Sequence, residues 1–551
     1  MNAKNVNVSQ QDIVAAVENQ SGCGTVNFDP SLTGSGKTHG AIKDVLKRRE
    51  KTIIAVPYIK LANEYKSKIH EISEELVITP SCAFITSEEK SVDKKTFEEL
   101  ECHLEKGNNY YNDYIIVTTH QTLRLALLND IVGIDGWHLI IDECMDMFYT
   151  CSYEVTKASA KMFLDSFTLE HGVNDKLYEL SVEASQRATF RNILNGGIGD
   201  SFWKKDAHEQ FVAHSLSKSF STYARIEDVK KAVSVLEGKH EKESAKLSTL
   251  SVIKKDILTK FSSLTFIAAD FDKTVMALVL ENLGFELNRV SYAAYPLLQH
   301  SNGKRLTIKY AVDRKNSISY KRVKSLKRDD DNEIMDHEDL IVARYLREIG
   351  GECFIFNSNV ASRDKKVYRE CMGGDNQDGQ AVLLTAVSGV NEYSTYNYAM
   401  YTTAKNSKDC EASIFEAFGV PREVVDMDRN QLSAYQFVSR TSIRERNATD
   451  PVVFYVIDKN TAEFLKEKWP ESECLKIDVD GLEADDLSDR QKINNDKDYK
   501  AYRDKVKKYN EGNRRFYKPS AERFVKMYEA LGLAANDEVY LHMREQCIDR
   551  K

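Results

Sequence analysis

Short runs in which nearly every residue is apolar recur in the first third of the chain, at residues 52–56, 114–117 and 138–141. Strands buried on both faces have this continuous pattern, because helices cover a parallel sheet from both sides. Helical stretches separate the runs. A second set of runs follows at residues 264–268, 306–312, 353–356, 381–384 and 452–457. The sequence therefore predicts an α/β fold with two tandem domains, each built on a parallel sheet.

The amino-acid composition of the chain changes between the two sets of apolar runs. Residues 151–258 are charged, poor in apolar runs and almost free of glycine after Gly199, so we predict a mainly helical insertion there. A polar, acidic loop is expected at 481–498, within a C-terminal extension that is otherwise helical. The predicted limits are 1–150 completed by 259–280 for the first domain, 151–258 for the insertion, 281–460 for the second domain and 461–551 for the extension.

The composition of the chain restricts its expected cellular compartment and the kind of nucleic-acid contact it can make. Ten cysteines occur without a Cys-x-x-Cys pair, so Cys23, Cys82, Cys102 and Cys144 are expected to be free thiols in a reducing, cytoplasmic compartment. No run approaches about 18 apolar residues, and the N-terminus lacks an apolar signal segment, so neither membrane insertion nor secretion is expected. Because the net charge is −8, any nucleic-acid contact must be a local basic patch.

The sharpest local pattern lies at residues 31–38, which fit G-x-x-x-x-G-K-[ST] except that Ser31 replaces the first glycine. Such a loop aims backbone N–H groups at phosphates, and a helix that follows it turns its N-terminus toward them. Lys37 is expected on the β- and γ-phosphates, and the Thr38 hydroxyl on Mg²⁺. A glycine-rich turn with a chance lysine is the alternative. The predicted nucleotide contacts are Thr33, Gly34, Ser35, Gly36, Lys37 and Thr38.

A nucleotide site of this kind also needs a strand that ends in carboxylates, and residues 139–143 supply one. Asp142 is expected to hold Mg²⁺, and Glu143 to orient and deprotonate the attacking water. A strand that ends in an exposed acidic turn is the alternative.

These residues resemble motifs I and II of superfamily 2 helicases, and similar segments follow in the family's order. Residues 56–62 resemble motif Ia, 117–123 the Thr-His segment before motif II, 265–270 motif III, 385–391 motif V and 436–444 motif VI. The resemblance covers about residues 10–460, apart from the insertion. It implies two RecA-like domains with ATP in the cleft between them and nucleic acid across both.

Three positions depart from the family pattern. Motif II reads Asp-Glu-Cys-Met, which disfavours the subfamilies dedicated to RNA. Motif III reads Ala-Ala-Asp and resembles divergent viral replication helicases, including origin-binding ones. In motif VI, Arg444 lies one residue farther from Gln436 than the family's second arginine, so either Arg440 or Arg444 is the candidate arginine finger. The resemblance thus favours DNA over RNA, and a phage or viral protein acting inside its host.

Further site residues follow from motif VI and from the resemblance. Arg440 and Arg444 lie four apart, so on a helix they would project to one face and neutralise the transferring γ-phosphoryl group. A solvated basic face is the alternative. Gln436 is expected to touch the γ-phosphate or the catalytic water, with a surface glutamine as the alternative. The resemblance also implies adenine recognition by Gln11 and nucleotide contacts by Gly389 and Asn391.

Two regions are candidates for gripping nucleic acid. By resemblance, the backbone-contacting residues are Pro57, Lys60, Thr119, His120 and Thr385, although Lys60 also fits a surface lysine and His120 a core histidine. Between residues 491 and 530, twelve Lys/Arg outnumber six Asp/Glu among interleaved aromatic residues. That mixture suits stacking on single-stranded bases, and a helical tail packed on the body is the alternative.

The sequence therefore predicts an ATP hydrolase: a helicase or translocase that uses ATP and Mg²⁺ on single-stranded or forked nucleic acid, with DNA favoured. A replication protein is an expected partner of the insertion or the tail, and no membrane contact is expected. Two alternatives stay open. One is a genome-packaging motor with a nuclease, for which Asp270 and Asp272 are candidate metal ligands. The other is an origin-binding or loading protein switched by ATP.

Overall fold

The computed structural model describes residues 24–88, 95–111, 113–195, 206–240, 243–293, 297–313, 327–328, 334–335, 337–359, 381–383, 393–403, 407, 409–445, 447–480, 541 and 544.

The strands and helices of these residues are given in chain order. The strands are β1 (Thr25–Phe28), β2 (Thr52–Val56), β3 (Cys82–Ile85), β4 (Ile115–Thr119), β5 (His138–Asp142), β6 (Phe148–Thr156), β7 (Phe167–His171), β8 (Leu177–Val182), β9 (Phe220–Arg225), β10 (Ser244–Ile253), β11 (Ser263–Ile267), β12 (Glu286–Arg289), β13 (Leu306–Val312), β14 (Lys327–Arg328), β15 (Ile334–Met335), β16 (Phe354–Asn357), β17 (Ala381–Leu383), β18 (Tyr398–Tyr401), β19 (Val452–Asp458) and β20 (Glu473–Lys476). The helices are α1 (Lys37–Arg48), α2 (Ile59–Leu76), α3 (Thr96–Tyr110), α4 (His120–Leu128), α5 (Lys157–Ser166), α6 (Arg187–Leu194), α7 (Asp206–Leu216), α8 (Ile226–Leu236), α9 (Lys255–Leu258), α10 (Val275–Asn282), α11 (His337–Ile349), α12 (Asp409–Phe418), α13 (Arg422–Asp426), α14 (Ser433–Val438) and α15 (Lys459–Lys468).

The first domain is a seven-stranded parallel sheet in the order β12-β1-β11-β5-β2-β4-β3. Every residue of β2 and of β4 is buried, as expected of strands with helices on both faces. The second domain is a six-stranded parallel sheet in the order β17-β16-β18-β19-β13-β20. The predicted α/β fold with two tandem domains on parallel sheets is confirmed.

The structure places two domain boundaries at other residues than the sequence predicts. Strand β12 pairs with β1, so the first domain continues past residue 281, where the second was expected to begin. Helix α15 packs on the second sheet and β20 pairs with β13, so residues 461–476 belong to the second domain and not to the C-terminal extension. The rest of the extension lies outside the described residues, apart from residues 477–480, 541 and 544.

The insertion contains the predicted helices and, in addition, a sheet that the sequence analysis did not predict. Strands β6 to β10 form a five-stranded antiparallel sheet in the order β6-β10-β9-β8-β7, with α5 to α8 between them. Along the second half of β6, buried and exposed residues alternate, as in a strand with one face in water. A strand with one face in water carries polar residues at every second position. The sequence of the insertion is therefore rich in charged residues and lacks the continuous apolar runs of the two parallel sheets.

One helix of the second domain packs against the insertion. Phe415 and Phe418 of α12 are buried in the same apolar cluster as residues of the first domain. The Phe415 ring meets Phe148 edge-on with centroids 5.2 Å apart, and Phe418 lies 5.7 Å from Tyr223. Asn174 Nδ2 donates a 2.8 Å hydrogen bond to a carbonyl near the end of α12. The two domains and the insertion therefore share one hydrophobic core at this junction.

Two sequence expectations concern the cell environment. Cys82, Cys102 and Cys144 form no disulfide, whereas Cys23 lies outside the described residues. Among the helices that the structure describes, none is both long enough and apolar enough to cross a bilayer.

Candidate active site

The loop between β1 and α1 forms an open concavity at the N-terminus of α1. Gly34 and Gly36 have φ angles of 77° and 84°, a left-handed conformation that glycine adopts without steric cost. A Cβ atom built on either glycine would meet no heavy atom within 4 Å, so the loop faces free space. Helix α1 begins at Lys37 and buries Ala41 and Ile42 against the sheet, which holds the helix N-terminus toward the concavity.

Lys37 and Asp29 fix the shape of this loop. The Lys37 ammonium donates a 2.9 Å hydrogen bond to the Ser31 carbonyl, and the Ser31 amide donates one of 2.9 Å to Asp29 Oδ1. Ser31 has no positive φ angle, so a serine is tolerated where the usual pattern has glycine. The Asp29 carboxylate also accepts from the Tyr292 amide at 2.8 Å, which ties the interdomain linker to the loop.

The strand β5 brings Asp142 beside Thr38. The Thr38 hydroxyl lies 3.4 Å from Asp142 Oδ2, and the Tyr65 hydroxyl donates to the same oxygen at 2.7 Å. Burial, together with the neighbouring Glu143 carboxylate, raises the pKa of Asp142 to about 6. A carboxylate and a hydroxyl oxygen side by side are hard ligands of the type that Mg²⁺ takes. The donor set therefore fits the predicted magnesium ion.

Glu143 connects the first domain to the second. Its carboxylate accepts a 3.0 Å hydrogen bond from Gln436 Nε2 of α14. Arg440 Nη2 lies 3.8 Å from the other carboxylate oxygen. Glu143 itself has a φ angle of 64°, an uncommon conformation that residues at functional sites adopt more often than others. The predicted base and two predicted residues of motif VI thus meet across the cleft.

The expectation that Arg440 and Arg444 share a helical face is wrong. Helix α14 ends at Val438, and a separate 3₁₀ turn, Ser442–Arg444, follows Thr441. The Thr441 hydroxyl caps that turn by accepting from the Ile443 amide at 3.4 Å. Burial and the positive charge of Arg440 both lower the pKa of Arg444.

Two further contacts join the domains beside the loop, and sequence analysis missed the residue that the second domain contributes to each. The Tyr435 hydroxyl of α14 accepts from the Thr33 amide at 3.1 Å. Lys468 of α15 pairs with Asp270 of the first domain at 2.5 Å, and both side chains are buried. Tyr435 immediately precedes Gln436 of motif VI, so its position in the sequence could have marked it as a site residue. Lys468 belongs to no motif, so no such signal was available. The contacts place the phosphate-binding loop within reach of the second domain.

The residues predicted to grip nucleic acid divide into two groups. Thr119 is buried and its hydroxyl caps α4 by accepting from the Thr122 amide at 3.2 Å. His120 Nε2 lies 3.0 Å from the Asp142 carbonyl oxygen, and burial lowers the pKa of His120 to about 4. Both side chains therefore have partners within the first domain, and their contact with nucleic acid stays a prediction. Pro57 and Lys60 stay candidates: Pro57 follows β2, and Lys60 is exposed on α2.

Four predicted site residues, Gln11, Thr385, Gly389 and Asn391, lie outside the described residues. The same holds for the basic and aromatic stretch at 491–530.

A cavity of about 240 Å³ lies behind Gln436, between the two domains and the insertion. A six-residue π-helix, Met427–Leu432, turns Asp428 toward it. The Val275 amide donates a 2.9 Å hydrogen bond to Asp428. Burial and the nearby Asp146 carboxylate raise the pKa of Asp428 to about 7, against the lowering effects of the Val275 amide and of Arg429. The cavity is lined by Cys144, Asp146, Phe148, Ala268, Ala269, Thr274, Val275, Phe415, Asp428, Arg429, Leu432, Ser433, Tyr435 and Gln436.

The raised pKa of Asp428 predicts a pH-dependent effect of Asp428→Asn on stability. A carboxyl group whose pKa is higher in the folded protein than in the unfolded chain costs stability as the pH rises from about 4 to about 7. The asparagine variant escapes this cost and can still accept from the Val275 amide. Its melting temperature relative to wild type should therefore rise between pH 5 and pH 7, by the equivalent of about 2–3 kcal/mol.

Thermal melts at several pH values measure this difference, with Asp409→Asn as the control at an exposed position on α12. A difference that stays constant with pH would show that Asp428 titrates normally.

Comparison with known proteins gives weak similarities only. No protein-family model and no curated protein matches the sequence. Among solved structures, S. tokodaii Xpd4 is similar with a TM-score of 0.41 and 10% identity, over 84% of this chain and 98% of that chain. S. cerevisiae Dbp5 bound to RNA and ADP BeF3 gives a TM-score of 0.39 and 11% identity, over 88% and 91%. The DUF1998 helicase MrfA bound to DNA and AMPPNP gives 0.29 and 10%, over 82% of this chain and 50% of that chain.

Proposed function

We propose that the chain is an ATP-dependent helicase or translocase of the superfamily 2 type, which hydrolyses ATP between its two RecA-like domains and acts on nucleic acid. The observation that carries the proposal is the meeting of Glu143 with Gln436 and Arg440 across the cleft. A base, an amide and a guanidinium from opposite domains thus lie together, and Asp142, the neighbour of Glu143, lies beside Thr38 at the phosphate-binding loop. A residue that positions water and an arginine that neutralises charge are recurring parts of enzymes that hydrolyse a terminal phosphate.

Each group has a part in the proposed reaction. The loop amides and Lys37 hold the β- and γ-phosphates, and Thr38 and Asp142 hold Mg²⁺, which neutralises phosphate charge when bound. Glu143 takes the proton of the attacking water, while Gln436 keeps the Glu143 carboxylate oriented. The Arg440 guanidinium balances the negative charge that develops on the transferred group.

Movement along nucleic acid follows from opening and closing of the cleft. The contacts of Glu143 across the cleft form in the closed arrangement and break when the domains part, so the cycle of hydrolysis is coupled to domain motion. Lys60 is the described residue whose exposed charge suits a backbone phosphate, which gives grip without reading sequence. DNA is favoured over RNA on the resemblance of motifs II and III. The basic and aromatic tail is a second proposed grip, and the insertion a proposed platform for a replication protein.

The proposal is tested by the ATPase activity of the full chain against single- and double-stranded DNA and RNA. Wild type should hydrolyse ATP with Mg²⁺, faster with single-stranded nucleic acid. Lys37→Ala should weaken ATP binding about 10- to 100-fold, because it removes a charged hydrogen-bond donor from the phosphates. Lys47→Ala, on the exposed side of the same helix, is the matched control. No turnover with any nucleic acid, or equal ATP affinity in Lys37→Ala and wild type, would refute the proposal.

Two other functions predict different results. A packaging motor with a nuclease needs clustered carboxylates, but the described residues contain no group of three or more potential metal ligands. Asp270, one candidate for that role, is paired with Lys468. Metal-dependent cutting of plasmid DNA without ATP would nevertheless favour the nuclease. An origin-binding or loading protein would hydrolyse ATP without strand displacement, which a forked substrate detects.

A further inference from the structure

The hydroxyl group of Tyr435 lies at a junction of three elements. It accepts a hydrogen bond from the Thr33 amide at 3.1 Å and lies 3.0 Å from the Thr33 hydroxyl. His300 Nε2, from the linker between the domains, lies 2.9 Å from the same hydroxyl oxygen. Tyr435 is fully buried. A side chain of the second domain therefore holds a backbone amide of the phosphate-binding loop in the first domain.

The surroundings leave the Tyr435 ring little freedom. His300 stacks on Trp469 with centroids 4.6 Å apart, and the Tyr435 ring tilts against Trp469 at 5.5 Å. The Lys468 ammonium lies 5.8 Å from the centre of the Tyr435 ring, and it pairs with Asp270 at 2.5 Å. Packing on several sides and a salt bridge between the domains thus fix the hydroxyl where the loop amide meets it.

We infer that Tyr435 is a positioning residue for the phosphate-binding loop, through which the second domain controls how tightly the first domain holds nucleotide. Tyr435 and Gln436 are consecutive on α14, so one helix contacts both Thr33 and Glu143. Parting of the domains breaks both contacts together. The loop then loses its fixed shape at the moment when the hydrolysis site comes apart, and nucleotide release is tied to opening of the cleft.

The effect on nucleotide binding rests on the proposed ATPase function, whereas the effect on the loop does not. Tyr435→Phe removes the hydroxyl and keeps the packed ring. The matched control is Tyr345→Phe, because Tyr345 is equally buried and its hydroxyl donates a 2.6 Å hydrogen bond to the Val456 carbonyl within the second domain. Both variants delete one buried hydroxyl, but only Tyr435→Phe acts on the loop.

The effect on the loop is measured by hydrogen exchange of the nucleotide-free full chain. Fragmentation resolves the exchange rate of the Thr33 amide. In Tyr435→Phe this amide should exchange about 5- to 10-fold faster than in wild type, since one hydrogen bond from a partly buried amide is lost. In Tyr345→Phe it should exchange as in wild type. Equal Thr33 exchange in Tyr435→Phe and wild type would overturn the inference, even if wild type fails to hydrolyse ATP and the proposed function falls.

Steady-state kinetics distinguish a specific role of Tyr435 in positioning the loop from a nonspecific loss of structure. Tyr435→Phe should raise the KM for ATP about tenfold with kcat nearly unchanged, because the loop binds phosphates equally in the ground and transition states. His300→Gln keeps a polar partner for the hydroxyl and should stay near wild type. His300→Phe loses that partner and should raise KM about 2- to 3-fold, a partial loss of one hydrogen bond. A fall in kcat with KM unchanged would contradict the assigned role.

Discussion

Glu143→Gln is expected to stop ATP turnover while ATP binding persists. The glutamine keeps the size of the side chain and a carbonyl that can accept from Gln436, but it cannot take a proton from water. Loss of a general base typically lowers kcat by about 10²- to 10⁴-fold. Removing a negative charge near the phosphates does not weaken their binding, so the dissociation constant for ATP should stay within about threefold of wild type.

The measurement pairs a phosphate-release assay with equilibrium binding of ATP to the full chain. Glu75→Gln serves as the control, because Glu75 is an exposed glutamate that pairs with Lys43 on the outside of the first domain. Turnover of Glu143→Gln within tenfold of wild type would mean that another group activates the water. Loss of ATP binding instead of turnover would assign Glu143 to nucleotide binding.

The sequence revealed those parts of the site in which the residues that act together are close in the chain. Gly34, Gly36 and Lys37 shape one loop, and Asp142 and Glu143 end one strand, so the residues that act together are neighbours in the chain. The two parallel sheets were predictable for a related reason. Burial on both faces leaves continuous apolar runs, as in β2 and β4, and those runs are visible without knowledge of the partner strands.

The sheet of the insertion was missed because one face of a strand such as β6 is exposed to water. In β6, residues 151, 153 and 155 are buried and those between them are exposed. This alternation, spread over nine residues with Ser152 and Glu154 on the outside, dilutes the apolar signal that β2 carries. Long-range pairing with β10, which no local pattern encodes, makes the stretch a sheet.

Two contacts between the domains could not be predicted from the sequence, for a physical reason. Tyr435 meets Thr33 and Lys468 meets Asp270 only because two separately folded sheets dock in one orientation. Burial of Lys468 lowers its pKa, and the Asp270 carboxylate opposes that effect. A buried charge pair of this kind is set by packing of whole domains and leaves no spacing pattern behind.

Arg440→Ala is expected to cause the largest loss of activity of any single change in the second domain. Arg440 is 5% exposed and its guanidinium lies 3.8 Å from the Glu143 carboxylate, so in the proposed reaction it stands beside the terminal phosphate. An arginine that neutralises the transferring phosphoryl group typically contributes about 10³- to 10⁵-fold to kcat. Arg444→Ala should cost less, because Arg444 lies in the separate 3₁₀ turn after α14 and interacts with Arg440 and Glu143 through charge.

Single-turnover hydrolysis by Arg440→Ala, Arg440→Lys and Arg444→Ala decides which arginine acts. Arg440→Lys keeps the charge but not the fork of donors, so it should recover only part of the rate. Arg344→Ala is the control, since Arg344 pairs with Glu348 on the far side of the second domain. If Arg444→Ala loses more activity than Arg440→Ala, Arg444 is the finger. In that case Arg440 holds Glu143 in place, and its replacement should alter the pH profile of hydrolysis more than its maximum rate.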